Sequence, residues 1–225
     1  MSSTASRSGP AKTAGAKTKA KIAGAEPRAN LDYSEFIETQ GVKVPFVPSI
    51  ITPKIEQAMR NNRYEGGECT ALRAALRPGD RVLDLGAGVG LLSTLAGSID
   101  GIERVTAIEA NPDLIALIRE THRVNGVTGV DLRNGVVSAG AGAAVSFYLR
   151  RDFWASSVEP GSRPYDRVAS LPNIAITDLI AEVKQLAPRD VKQLLDAGTK
   201  FTFLDVRTPE ERATASIPGT RLLDQ

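Results

Sequence analysis

Three features of the sequence predict an α/β fold organised on a parallel, Rossmann-like sheet. Arg81-Val-Leu-Asp-Leu85 is a short apolar run of the kind that a strand covered on both faces requires, and it leads through Gly86, Gly88 and Gly90 into Leu91, Leu92 and Leu95, the apolar stripe of a helix. Val105-Thr-Ala-Ile-Glu-Ala110 is a second strand about twenty residues on, ending in an acid. Val130-Asp-Leu-Arg-Asn-Gly-Val-Val137 is a third. Between the last two lies a helix over 113–124, opened by Asn111-Pro-Asp113 and stopped by Asn125-Gly126, with Leu114, Leu117, Ile118 and Val124 on its buried side.

The glycine turn is where function is to be sought, because glycines let a ligand approach the main chain closely. A dinucleotide site takes G-x-G-x-x-G, but here the sixth position is Leu91, and Asp84 stands two residues before the first glycine. The pattern Asp-x-Gly-x-Gly-x-Gly resembles the first motif of the Rossmann-like methyltransferases. That resemblance implies S-adenosylmethionine as cofactor, held by Asp84, Gly86, Gly88 and Gly90. Glu109, at the end of the second strand, is placed to accept the ribose hydroxyls. Asn134, beside Gly135 at the end of the third, is placed to face the adenine.

Upstream, Pro45 and Pro48 hold residues 42–51 out of helix. Thr52-Pro53 reads as N-cap and first position of a helix through Met59, and Tyr64-Glu65-Gly-Gly-Glu68 opens another that Pro78-Gly79-Asp80 ends. The acids there are either partners of the helix dipole or neighbours of the cofactor. Downstream, Ser138-Ala-Gly-Ala-Gly142 is a turn and Ala144–Leu149 alternates as a strand does, so residues 135–149 are expected to form a hairpin.

Composition sets the remaining bounds. The chain has 225 residues, 42% hydrophobic and 24% charged, enough for a globular core with an appendage. Residues 1–30 carry six basic residues against Glu26 alone and a single large aliphatic, Ile22, which predicts a disordered basic tail. No aromatic residues are interleaved with those lysines, so nucleic acid is not expected as a partner. The absence of a long apolar run argues against a membrane partner and for a cytoplasmic protein. With one cysteine and one histidine, neither a disulfide nor a protein-held metal is expected. Cys69 can share a helix face with Leu72 and Leu76 and reads as core. His122 falls in a last helical turn, where a partly protonated imidazole suits the dipole.

Arg151-Asp-Phe-Trp-Ala-Ser-Ser157, with Tyr64-Glu65 upstream and Ile174-Ala-Ile-Thr-Asp-Leu-Ile180 downstream, resembles the FkbM-type methyltransferases over about residues 44–183. The resemblance implies methyl transfer from S-adenosylmethionine to a hydroxyl of a sugar or other small molecule. Phe153 and Trp154 are then either substrate contacts or a hydrophobic patch over the sheet. The acidic Asp-x-Glu-Gly motif of that family is absent, and no general base is assigned. Instead, Ala187–Gly198, Phe201-Thr-Phe-Leu-Asp-Val-Arg207 and Ile217-Pro-Gly219 resemble the first part of a rhodanese domain. The expected organisation is a tail over 1–30, an incomplete Rossmann-like methyltransferase sheet over 31–185 and a partial rhodanese-like α/β segment over 186–225. The alternative function is a sulfurtransferase fragment or a non-catalytic binding module. The strand at 201–206 is expected to pair with residues 81–85 as the fourth strand of the sheet.

Overall fold

The computed structural model describes residues 31–140 and 142–184, and the main chain of Leu204–Asp205 and Arg221–Leu222. The chain opens with a hairpin of β1 (Phe36–Thr39) and β2 (Val42–Pro45), which the sequence reading captured only in its second half. Its two-residue turn, Gln40-Gly41, has both φ values positive (52° and 79°), the backbone that matches the twist of paired strands. Ile37, Val42 and Val44 face inward from the hairpin, while Phe36, Glu38 and Lys43 face out. Helix α1 (Pro53–Arg60) follows, with Thr52 at the N-cap position and Pro53 first in the helix; the buried Thr52 hydroxyl makes no cap bond. Helix α2 (Gly66–Ala75) buries Cys69 completely.

Strands β3 (Arg81–Leu85), β4 (Arg104–Glu109) and β5 (Val130–Asn134) then form a parallel sheet in the order β3-β4-β5. They are joined by α3 (Leu91–Gly97) and α4 (Ile115–Val124). This is the alternation the sequence predicts, with one shift of emphasis: β4, not β3, is the buried strand. Val105, Ala107 and Ile108 are at most 4% exposed, whereas Val82, Leu83 and Leu85 are only partly buried. Among the described residues β3 pairs with β4 alone, and α5 (Ile176–Lys184) packs against it, with Glu182 reaching Arg104 of β4 and Arg133 of β5.

A second sheet follows from β6 (Val136–Ser138), β7 (Gly142–Leu149) and β8 (Arg167–Ala175), in the order β6-β8-β7. The hairpin expected over 135–149 does not form. Strand β8, whose pattern the sequence reading passed over, lies between β6 and β7, parallel to the first and antiparallel to the second. Gly135 carries the chain from β5 straight into β6. A Cβ there would meet Ile174 Cδ1 at 2.8 Å and the Pro172 carbonyl oxygen at 3.0 Å, so a side chain at the crossing point would displace Ile174 and press on the β8 main chain.

The expected fourth strand is also corrected. Of residues 201–206 only Leu204–Asp205 is described, and it pairs in parallel with Arg221–Leu222, not with Arg81–Leu85. Among the described residues no strand pairs with the outer edge of β3. The basic tail over 1–30, the helix expected at 188–197 and the Ile217-Pro-Gly219 turn lie outside the described residues.

Arginines tie acids that lie toward the amino ends of the parallel strands, with Arg133 reaching back from near the carboxyl end of β5. Arg133 bonds Asp131 at 2.6 Å and Glu182 of α5 at 2.5 Å, Arg104 bonds Asp131 at 2.9 Å, and Arg81 pairs with Glu103. The N-terminal hairpin is tied to α4 by polar bonds. Asn125 accepts from the Lys43 N–H at 3.0 Å and donates to the Lys43 carbonyl at 2.7 Å. Tyr33 donates to the buried Glu120 at 2.5 Å, and Arg123 holds the other side of that carboxylate.

Candidate cofactor site

The register of the parallel strands gathers the predicted residues at one edge. Leu85 is opposite Ile108 and Glu109 opposite Asn134, so the glycine turn, the acid and the asparagine all lie at the carboxyl ends of β3, β4 and β5. The turn is pinned to β4 by two main-chain bonds, from the N–H groups of Gly86 and Ala87 to the Ile108 carbonyl at 2.8 and 3.0 Å. Gly86, Gly88 and Gly90 all have positive φ. At Gly90 (φ 81°) an added Cβ would lie 3.0 Å from Ile118 Cγ2 and 3.3 Å from its Cα, so the glycine lets α3 and α4 close together.

Glu109 is 7% exposed, and its carboxylate reaches over the turn. Oε2 accepts from the Gly88 N–H at 2.8 Å and Oε1 from the Asn111 N–H at 2.6 Å. Each oxygen keeps a lone pair for a further donor. Burial pushes its pKa up to about 7, opposed by the main-chain bonds from Asn111 and Gly88. Asp84 is 8% exposed; burial pushes its pKa up to about 6, opposed by the Ser93 hydroxyl and N–H. Its Oδ2 has no hydrogen-bond partner. Neither carboxylate is paired with lysine or arginine among the described residues. An unpartnered buried carboxylate oxygen is costly, and it marks a place where a donor or a cation belongs.

Asn134 spends its amide locally: Nδ2 donates to the carbonyls of Glu109 and Ala110 at 2.8 and 3.0 Å, fixing the end of β4. Across the turn stand Tyr64, Glu65 and Phe153, whose Oη, Oε1 and Cε2 lie 3.4, 3.9 and 3.9 Å from a Cβ built on Gly88. Tyr64 remains a neutral phenol, its pKa raised by burial and then by the adjoining Glu65 charge. Glu65 itself holds a left-handed backbone (φ 48°) in front of α2, a conformation unfavourable for a side chain of its size. Phe153 and Trp154 meet edge to face at 5.8 Å, Lys54 lies over the indole at 5.6 Å, and Arg151 bonds the Ser49 carbonyl at 2.9 Å. The pair packs on the core, as the hydrophobic-patch reading expects, and Phe153 also reaches the turn.

Two residues were misjudged from sequence. His122 is not a half-charged helix terminus: it is 6% exposed, and burial pushes its pKa down to about 4. Its Nε2 lies 3.1 Å from the Ser93 hydroxyl, itself fully buried, and Ser93 had not been singled out at all. The only available signal was a polar residue in the first turn of a helix otherwise lined with leucine. Cys69 is core as expected, and burial pushes its thiol up to about 12. Among the described residues no cluster of histidine, cysteine and acids is suited to a metal, and no helix is long and apolar enough to cross a membrane.

The chain is 29% identical over 158 residues to the ribosomal protein L11 methyltransferase of Chloroflexus aurantiacus. The match covers 68% of this chain and 47% of the relative, so the chain spans about half of that protein's length. No family model matches the chain, and the FkbM-type and rhodanese-like resemblances rest on their motifs alone. The chain is a mixed α/β protein whose parallel sheet is consistent with a methyltransferase-like fold, and a methyltransferase is its distant relative.

Proposed function

We propose that the chain is an S-adenosylmethionine-dependent methyltransferase whose acceptor is a hydroxyl of a small molecule. The observation that carries the reading is the pair of unpaired acids at the glycine turn, Asp84 with its orphaned Oδ2 and Glu109 with its lone pairs to spare. A dinucleotide would bring a pyrophosphate to this turn, where two carboxylates repel it and the Gly88 N–H is already engaged. A ligand with a sulfonium and an ammonium is complementary to the same groups. Asp84 would hold the ammonium end and Glu109 the ribose hydroxyls, with Gly88 leaving room for close approach. Bound there, the cofactor supplies a methyl group activated for in-line displacement.

The chain's own contribution is alignment and exclusion of water. Positioned reactants gain an effective molarity on the order of 10⁵ M or more. Phe153 and Tyr64 wall the turn, and the Tyr64 phenol is held by the Glu65 carboxylate. Calorimetry with S-adenosylhomocysteine and with NAD tests the cofactor: binding of the first and not the second is expected, and the reverse removes the proposal. Transfer of a labelled methyl group to a panel of sugars and polyketides tests the acceptor.

A second reading, a protein acceptor, is favoured by the relative's being a methyltransferase of a ribosomal protein. Label incorporated into polypeptide instead of small molecules decides for it. The sulfurtransferase alternative is disfavoured by Cys69, the chain's one cysteine, whose buried, protonated thiol inside α2 is a poor sulfur carrier.

A further inference from the structure

Between β7 and β8 the chain leaves the second sheet, reaches the glycine turn and returns. Two main-chain bonds close the base of this loop, from the Tyr148 N–H to the Ser157 carbonyl at 2.8 Å and from the Ser157 N–H to the Tyr148 carbonyl at 3.2 Å. Its tip carries Phe153 and Trp154, both half-buried. Two adjacent arginines hold the loop in different ways. Arg150 turns inward: its N–H donates to the Ser156 hydroxyl at 3.0 Å, and its guanidinium donates to the carbonyls of Tyr148, Ala155 and Pro160 at 3.2, 3.0 and 2.5 Å and to the Ser157 hydroxyl at 3.2 Å. All these partners lie between Tyr148 and Pro160, so Arg150 fixes the loop's own shape.

Arg151 turns outward. Its Nη1 and Nη2 donate to the carbonyls of Ser49 and Pro48 at 2.9 and 3.3 Å, 102 and 103 residues earlier in the chain. Among the described residues these are the only hydrogen bonds that join residues 150–157 to a part of the chain outside 148–160. The anchor is firm: the N–H groups of Ile50 and Ile51 both donate to the Val47 carbonyl, at 2.9 and 2.8 Å, and Val47 and Ile51 are buried. The tie itself is modest, because its acceptors are neutral carbonyls and Arg151 is exposed. What it holds is the ring of Phe153, which packs on Ala87, Leu114 and Ile118 and comes within 3.9 Å of a Cβ built on Gly88.

We propose that Arg151 is a positioning residue for the wall of the candidate site: by tying the loop to the Pro48 and Ser49 carbonyls it holds Phe153 over the glycine turn and slows the escape of a ligand bound there. The ligand half of this statement rests on the proposed function; the loop half does not. A loop of fixed internal shape with one releasable tie moves as a unit, which is how a site is closed without being sealed.

The test uses the whole chain, and its first arm needs no ligand. Trp154 is the chain's one tryptophan, so its fluorescence reads the loop without overlap. Acrylamide should quench Trp154 more readily in Arg151→Met, which keeps the aliphatic stem and loses the donors, and quenching should return toward wild type in Arg151→Lys, which restores a single donor. Equal quenching in Arg151→Met and wild type overturns the proposal. In the second arm, stopped-flow should show S-adenosylhomocysteine leaving Arg151→Met about fivefold faster than wild type, the population shift that loss of one modest hydrogen bond produces. In a Phe153→Ala background Arg151→Met has no ring left to position and should accelerate escape no further; if that background fails to fold, the comparison is made in Phe153→Leu, where the acceleration should be smaller than in wild type. An unchanged dissociation rate in Arg151→Met, or the same acceleration with and without the Phe153 ring, sinks the ligand half. A wild-type chain that binds no S-adenosylhomocysteine but gives the quenching result removes the cofactor reading and leaves the loop half standing.

Discussion

The two ends of the parallel sheet treat their carboxylates in opposite ways. At the amino ends Arg133 holds Asp131 and Glu182 below the ordinary carboxylate range, and Arg81 does the same for Glu103. At the carboxyl ends Asp84 and Glu109 are buried without a basic partner and lie well above it. The first arrangement ties α5 to the sheet and lowers the energy of the folded chain. The second raises it, and a protein keeps such groups where a ligand compensates for the cost. Acidic residues of one sheet thus stand in two settings: paired with arginine toward one end, and buried without a basic partner at the other.

The largest expected departure comes from Asp84→Asn. Removing a charge that lacks a partner should weaken S-adenosylhomocysteine by more than tenfold, while the free chain at pH 8 gains on the order of 1 kcal/mol in urea denaturation. Loss of both affinity and stability would place Asp84 with the structural acids. Glu109→Ala removes the acceptor of the Gly88 and Asn111 N–H groups as well as the expected ribose contacts, and should cost binding at least ~1.5 kcal/mol. Unchanged affinity would take Glu109 out of the site.

Effects at the other end should be smaller and of the opposite kind. Arg133→Met leaves Asp131 and Glu182 without their main partner, with an expected loss of roughly 1 kcal/mol in stability and no change in ligand affinity, since the pair is partly exposed. The pH dependence should be smaller still. The folded pKa values of Asp84 and Glu109 are raised, so their contribution to stability is complete below about pH 4 and is lost as pH rises through about 6 and about 7. His122, with its folded pKa lowered to about 4, acts the other way, and its contribution is already complete above its ordinary value of 6.5. From pH 6.5 to 8 the free chain should therefore lose on the order of 1 kcal/mol while ligand affinity rises. Thermal unfolding with and without S-adenosylhomocysteine reads both trends, and a free chain that grows more stable across that window contradicts them.

The parallel half of the fold was legible because its signals are local. Alternation, glycines with positive φ and the Asn125-Gly126 stop each act within a few residues, and the strand register then carried Glu109 to the glycine turn. Of the second sheet only β7 was legible, from the alternation over Ala144–Leu149. Strand β6 has three residues and β8 carries Pro172, so neither shows a clean alternation, and the pairing of β6 with β8 links residues far apart in sequence. Hairpin strand β1 was missed because Phe-Ile-Glu-Thr is too short to stand out. At the site, the residue types were readable but their use was not: Asn134 turned to main-chain carbonyls, and the contact between Ser93 and His122 depends on how α3 packs against α4.

The bonds that tie the hairpin of β1 and β2 to α4 set an order for assembly on the ribosome. Lys43 meets Asn125 across 82 residues of sequence, and Tyr33 meets Glu120 across 87. At a synthesis rate of roughly 5–20 residues per second, the hairpin waits about 4–16 s before its partners exist. Through that interval α1 packs on β1 while the face of β2 waits for α3 and α4, and the outer edges of the two strands are open to other chains. The hairpin is therefore incompletely covered until the parallel sheet is made, and a chaperone that holds it during synthesis should raise the soluble yield more than one that acts on the finished chain.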